Sequence, residues 1–232
     1  MTGSLQRMEV PEADLLRWSE ALSGIARTGL GFTQSLYERE RFEEVLKVAA
    51  DVRAAIGAER SPEAVVEEWL ALVGEGVPGY VTPKLAVGAV VGNERAEMLL
   101  IQRADSGVWL YPTGWADVGY SASEVVVKEV LEETGIICVP EGVVAVLDGM
   151  RMGLTRIPLY SIVFLCRAVG GQLAPHPLET RDVGWYHQDE LPPMTVGVGQ
   201  WGDHAFAAIR GEAKGVLFDE ARPHPWHLPS TD

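Results

Sequence analysis

A chain of 232 residues, 47% of them hydrophobic, is long enough for one or two domains with a real core. Its formal net charge of −14 argues against non-specific nucleic-acid binding, which needs Lys and Arg to displace counterions from phosphate. The only two cysteines, Cys138 and Cys166, sit in the apolar runs GIICV and IVFLC, which predicts buried reduced thiols in a cytoplasmic protein rather than a disulfide.

The opening stretch MTGSLQRMEVPEADLL carries no apolar signal core, and no run approaches about 18 apolar residues, so neither secretion nor membrane insertion is expected. From Pro11 to about Gly74 apolar residues recur at helical spacing. Leu15, Trp18, Leu22 and Ile25 mark one helix, and Phe42, Val45, Ala49, Val52 and Ile56 a second. Val65, Val66, Trp69, Leu70 and Val73 mark a third, opened by Ser61 as N-cap and Pro62 at the first helical position. The glycines of Gly29-Leu30-Gly31 are read as the turn after the first helix. Three short helices enclose little interior of their own. They are expected to pack on the rest of the chain, on a second copy, or both; a homodimer through these helices is the expected assembly.

Gly74-Glu-Gly-Val-Pro-Gly79 reads as a linker, giving an N-terminal helical domain over residues 1–77 and a second domain over 78–232. Strands then dominate: Leu85–Val91 and Met98–Gln102 flank the polar turn Asn93–Ala96 as a hairpin. Val143–Leu147 follows, then Leu159–Arg167, whose largely apolar run suits a central strand. Gly170-Gly171 turns the chain, Val183–Tyr186 is a short strand, and Asp203–Gly211 a last helix. The tail Arg222–Pro229 looks irregular, with His224 and His227 as surface residues rather than ligands.

Between these strands lies GWADVGYSASEVVVKEVLEETGI, from Gly114 to Ile136, read as a glycine turn leading into a helix over about Ser121–Thr134. Ser121 and Glu124 make a capping box, and Gly135 suits the left-handed position after the last turn. Glu129, Glu132 and Glu133 recur at i, i+3 and i+4, so three carboxylates share one face. Like charges at that spacing oppose the helix unless a cation sits among them, and all-oxygen ligands suit Mg²⁺ or Mn²⁺. A solvated acidic face is the plain alternative.

The same stretch resembles the Nudix box: a glycine, five residues, a glutamate, seven residues, then Arg-Glu-aliphatic-any-Glu-Glu-any-Gly-aliphatic. Gly114 opens it, and Glu129, Val130, Leu131, Glu132, Glu133, Thr134, Gly135 and Ile136 close it in register. Tyr120 stands where the family has its first glutamate, Lys128 where it has arginine, and Thr113 where a glycine is common. The family's glutamate and arginine usually pair and brace the loop against the helix, so Tyr120 and Lys128 look like a coupled replacement. Lys128 can instead pair with Glu124 or Glu132 one turn away. The helical front end and DVGWYHQDELPP extend the resemblance to a subgroup with an N-terminal helical domain. The implied fold is an α/β/α sandwich with a mixed sheet, preceded by a small all-α domain.

The resemblance implies a metal-dependent pyrophosphatase acting on a nucleoside diphosphate linked to another group, of the CDP-choline or ADP-ribose type. Glu129, Glu132, Glu133 and the backbone carbonyl of Thr113 would be the metal ligands. Glu132, Glu133 or Glu179, the last in the loop Pro177–Asp182, would be the catalytic base. Trp115 would stack on a base or pack the loop, Arg151 and Arg156 would meet phosphate, and Tyr120 would fill the space left by the missing glutamate. A nucleotide-binding sensor without turnover and an RNA-end-processing enzyme are the alternatives.

Overall fold

The computed structural model describes residues 10–57, 60–73, 81–117 and 119–221. It divides into two compact units, one formed by the chain up to Lys84 with Thr155–Pro158, the other by Leu85–Leu154 with the chain from Leu159 onward. The expected linker, the expected boundary at 77/78 and the tail with His224 and His227 lie outside the described residues.

The helical unit contains α1 (Glu12–Phe32), α2 (Leu36–Ala55) and α3 (Pro62–Ala71). Ser61 caps α3 with Pro62 in its first turn, as its sequence predicts. The expected turn at Gly29–Gly31 is absent, because α1 runs straight through both glycines. Gly29 is there for packing: a Cβ would lie 2.3 Å from the ring of Phe42 on α2, so the missing side chain lets the two helices approach. The buried face of α1 also differs from the expected stripe. Leu16, Ser19, Glu20, Ser23, Ala26 and Leu30 are buried, whereas Trp18 and Ile25 are exposed. Small residues permit close contact, and Ser19 is satisfied there by donating to the Ala49 carbonyl at 2.7 Å.

The second unit is an eight-stranded mixed sheet: β1 (Lys84–Gly92), β2 (Met98–Arg103), β3 (Trp109–Leu110), β4 (Thr113–Trp115), β5 (Ile136–Asp148), β6 (Leu159–Gly171), β7 (Thr180–Tyr186) and β8 (Leu217–Phe218). The main order is β3-β2-β1-β6-β5-β8, with β4 on β1 and β7 on β2. The β1–β2 hairpin forms as expected, and β6 lies inside the sheet. β5 pairs antiparallel with β6 and parallel with β8. Alternation along β2 sends Leu99 and Ile101 to one face with Val125, Val126 and Val130 of α4 (Ala122–Thr134). Met98 and Leu100 go to the other face with Trp201, Ala205 and Phe206 of α5 (Val198–Ile209). Two cores on opposite faces make the three-layered α/β/α arrangement.

β5 begins at Ile136, directly after α4, so it is far longer than the expected Val143–Leu147, and α5 starts five residues before the expected Asp203. Cys138 and Cys166 are buried and unbridged. No helix among the described residues is long and apolar enough to cross a membrane.

Candidate metal centre

α4 has the ends its sequence specifies. The Ser121 hydroxyl accepts from the Glu124 N–H, Glu124 accepts from the Ser121 N–H at 2.7 Å, and Gly135 closes the helix at φ 72°. Val125, Val126 and Val130 anchor one side in the sheet core. Glu129 and Glu133 then fall on the flank facing β4, with Glu132 beside them toward solvent.

Gly114 is not in a turn but in β4, paired with Val87 of β1. Its lack of a side chain makes room for a carboxylate, since a Cβ there would lie 2.2 Å from Cδ of Glu129. The neighbouring Thr113 donates its backbone N–H to Oε2 of Glu133 at 3.0 Å and its hydroxyl to the Val87 carbonyl at 2.7 Å. β4 therefore receives two acids of α4, one against a glycine and one on an amide. Glu132 is exposed, with the Lys128 ammonium 3.6 Å away.

Glu133 is only 4% exposed. Burial pushes its carboxyl up to about 8; the Thr113 N–H and Arg103 oppose the shift, while Glu129 and Glu179 add to it. Burial also raises Glu129, with the Lys128 ammonium pulling it back and Glu132, Glu179 and Asp117 pushing the same way as burial. Acids that are costly to ionise in a mutually repulsive group are what a bound cation relieves, and the donors are all oxygen, as Mg²⁺ prefers. The residues fit a divalent ion. Among the described residues no three such side chains already converge on one metal position; Glu133 is turned to the amide and Glu132 to solvent and Lys128.

Glu179 is exposed, with its carboxylate 3.8 Å from Nδ1 of His176, and its charge acts on both Glu129 and Glu133. The loop that carries it is tied to the end of α4: Ala174 N–H donates to the Thr134 carbonyl at 2.8 Å and His176 N–H to the Glu133 carbonyl at 3.4 Å. Those carbonyls belong to the last helical turn, which has no partners within its own helix. Trp115 and Tyr120 are exposed at 51% and 60%. Arg151 is engaged elsewhere, donating to the Glu220 carbonyl beside Asp219. Arg156 belongs to the helical unit and donates to Glu12 at 3.0 Å.

Two residues not singled out in the sequence belong here. Arg103, at the end of β2, forks onto Asp105 through Nε at 3.0 Å and Nη2 at 2.6 Å and lies in the field of Glu133 and Glu179. Asp117 accepts from Lys128 Nζ at 3.1 Å. Of the two partners expected for Lys128, Glu132 is within reach, whereas Glu124 is committed to the capping box. Asking which acid near the loop could meet Lys128 would have found Asp117.

A family model described as NUDIX domain matches residues 82–204, and one described as UDP-X-like, N-terminal oligomerisation domain matches residues 13–69. The Bacillus subtilis protein YjhB, provisionally named an ADP-ribose pyrophosphatase, is 32% identical over 182 residues, 78% of this chain and 84% of its own. A crystal structure of a UDP-X diphosphatase is similar at 26% identity and TM-score 0.54, covering 90% of this chain and all of its own. An ADP-ribose pyrophosphatase from Streptococcus suis is similar at 35% identity and TM-score 0.52 over 60% of this chain and all of its own.

Replacing Gly114 by Ala forces Glu129 away from β4. Affinity for Mn²⁺, read by titration, should fall by roughly 10- to 100-fold with the circular dichroism spectrum unchanged; wild-type affinity would contradict the role given to the glycine. A second expectation concerns pH in metal-free protein. The folded state holds the Glu133 proton up to about 8, whereas an ordinary carboxyl releases it near 4.5. Folding therefore takes up a proton between those values, and stability falls as pH rises through that window. The fall in thermal midpoint should be smaller in Glu133→Gln; equal slopes in both proteins would refute it.

Proposed function

Because the chain belongs to the Nudix family of hydrolases, whose members use divalent metals, we propose that it cleaves the diphosphate bond of a nucleoside diphosphate linked to a second group. Mg²⁺ is the proposed ion, with Mn²⁺ able to replace it. The observation that carries this reading is the pair of shielded acids between α4 and β4, Glu129 against Gly114 and Glu133 on the Thr113 amide.

Glu129, Glu132 and Glu133, with the Thr113 carbonyl, are the proposed ligands. A divalent ion held there would offset charge on the diphosphate oxygens and acidify a water. The chain's own part is to orient that water and take its proton. Glu132 and Glu179, both exposed carboxylates beside the buried pair, are the proposed bases, with Glu133 limited by its raised proton affinity. Water adds to one phosphorus, the bridging P–O bond breaks, and the products are a nucleoside monophosphate and the phosphorylated second group. No covalent intermediate with the protein is needed. Trp115, next to Gly114, is the proposed stacking surface for the base, with Tyr120 at the edge of the site. Arg103, which lies in the field of Glu133 and Glu179, is a further guanidinium proposed for diphosphate oxygens beside Arg151 and Arg156; each is engaged by a neighbour, Asp105, Glu220 and Glu12 respectively, that it would have to exchange for substrate.

The names of the relatives favour ADP-ribose or a UDP-linked compound. CDP-choline belongs to the same chemical class and ranks below them. A sensor without turnover draws on Tyr120, Lys128 and Thr113, but Lys128 keeps an acidic partner in the loop, which favours catalysis. The charge of −14 argues against RNA ends as substrate. The unbridged thiols agree with a cytoplasmic setting.

The front helices match an oligomerisation domain, and the proposed assembly is a homodimer. Trp18, Ile25 and Phe32 are exposed at seven-residue spacing along α1, a stripe suited to a partner helix.

With ADP-ribose, a UDP-sugar and CDP-choline incubated in Mg²⁺, chromatography should show AMP or UMP with the matching sugar phosphate, and Glu132→Gln should lose at least about 100-fold in rate. Unchanged turnover in that variant would remove α4 from the chemistry. Sedimentation equilibrium at micromolar concentration should give a dimer that Ile25→Asp converts to monomer; a wild-type monomer would rule out the assembly.

A further inference from the structure

We propose that Asp117 and Lys128 form the brace that holds the β4–α4 loop in register with the carboxylate face, Asp117 standing in for the glutamate that the family places where this chain has Tyr120. This rests on the metal-dependent reading above. Lys128 Nζ lies 3.1 Å from Asp117, 3.6 Å from Glu132 and 3.8 Å from Glu129, and among these the loop acid is the closest. The loop turns tightly there. Tyr120 N–H donates to the Asp117 carbonyl at 3.4 Å and Gly119 takes φ 94°, a conformation that favours glycine. The turn leaves Tyr120 exposed while the Asp117 side chain reaches the helix.

Position 120 is thus not the bracing point in this chain, and the acid that braces stands three residues nearer to Gly114. That shortens the span between the brace and the glycine against which Glu129 packs. Gly114 itself is held by its pairing with Val87 of β1, so releasing Asp117 loosens the loop after β4 and leaves Lys128 to Glu129 and Glu132; the brace acts on metal affinity through those acids and touches no substrate. The choice of lysine follows from the same geometry. An ammonium has three rotatable donors on a flexible stem and can share its charge among Asp117, Glu129 and Glu132, which a planar guanidinium locked onto one carboxylate does less well. Lys128 therefore has two tasks, tethering the loop and easing the repulsion between Glu129 and Glu132, which are also neighbours on the helix. Both partners are partly exposed, so the brace contributes little to global stability.

The test compares wild type, Asp117→Asn, Lys128→Gln, the double variant and the conservative Lys128→Arg. Three readouts are used: amide hydrogen exchange over residues 113–121, the affinity for Mn²⁺ alone followed by electron paramagnetic resonance, and the thermal midpoint. Asp117→Asn and Lys128→Gln should each speed loop exchange, and the double variant should be no faster than the worse single, the mark of one shared interaction. Asp117→Asn should bind Mn²⁺ roughly 3- to 10-fold more weakly, with the midpoint within about 2 °C of wild type. Lys128→Arg should keep loop exchange at the wild-type rate, because it retains the tie to Asp117, while losing part of the charge sharing with Glu129 and Glu132. Unchanged loop exchange, additive effects of the two substitutions, or a midpoint lowered by more than about 5 °C without selective loop loosening would overturn the brace. If wild type itself bound no Mn²⁺, the metal-dependent reading would fall, and the exchange data would still decide whether the pair holds the loop.

Discussion

Two carboxylates taken largely out of water on one flank of α4 set the terms for the rest of the second unit. Removing an ionised acid from solvent is costly unless something replaces the lost hydration. Here the replacement comes from the opposite strand. β4 offers Glu133 an amide and gives Glu129 the space of a missing side chain. Neither contact exists unless α4 lies against the sheet at one height and rotation, and the Val125, Val126 and Val130 side chains packed on β1 and β2 supply that placement. Core packing and acid chemistry are thus one constraint: the apolar side of the helix sets the position at which the acidic side meets β4.

The remaining charges are arranged around that constraint. Lys128 acts on Glu129 and Arg103 on Glu133, each cation held by its own aspartate, Asp117 and Asp105. Neither cation makes a close ion pair with Glu133. The two bases lower the proton affinity of the acids against the effect of burial, without a close pair to Glu133.

Elements whose instructions are local were legible in the sequence. The capping box, the left-handed Gly135, the Ser61-Pro62 start of α3 and the polar turn between β1 and β2 are each written within a few residues, and each forms. What depends on distant neighbours was not. Gly29 and Gly31 look like a chain break until Phe42 is seen against the first of them. Trp18 and Ile25 look like core until small residues on the adjacent face allow the helices to approach more closely there. The early start of β5 carries no local mark, because its first residues are held by β6. In the site, Glu129, Glu132 and Glu133 could be placed on one face from spacing alone. The role of Asp117 could not, since its partner is eleven residues away across a turn.

The backbone ties between the end of α4 and the loop bearing Glu179 have a wider meaning. Because Ala174 and His176 are fastened through main-chain atoms to Thr134 and Glu133, the separation of that loop from the helix does not depend on which side chains the loop displays. Side chains of that loop can change while the spacing between the two acidic regions stays as the main chain sets it. Such an anchor separates the geometry of the loop from its side-chain chemistry.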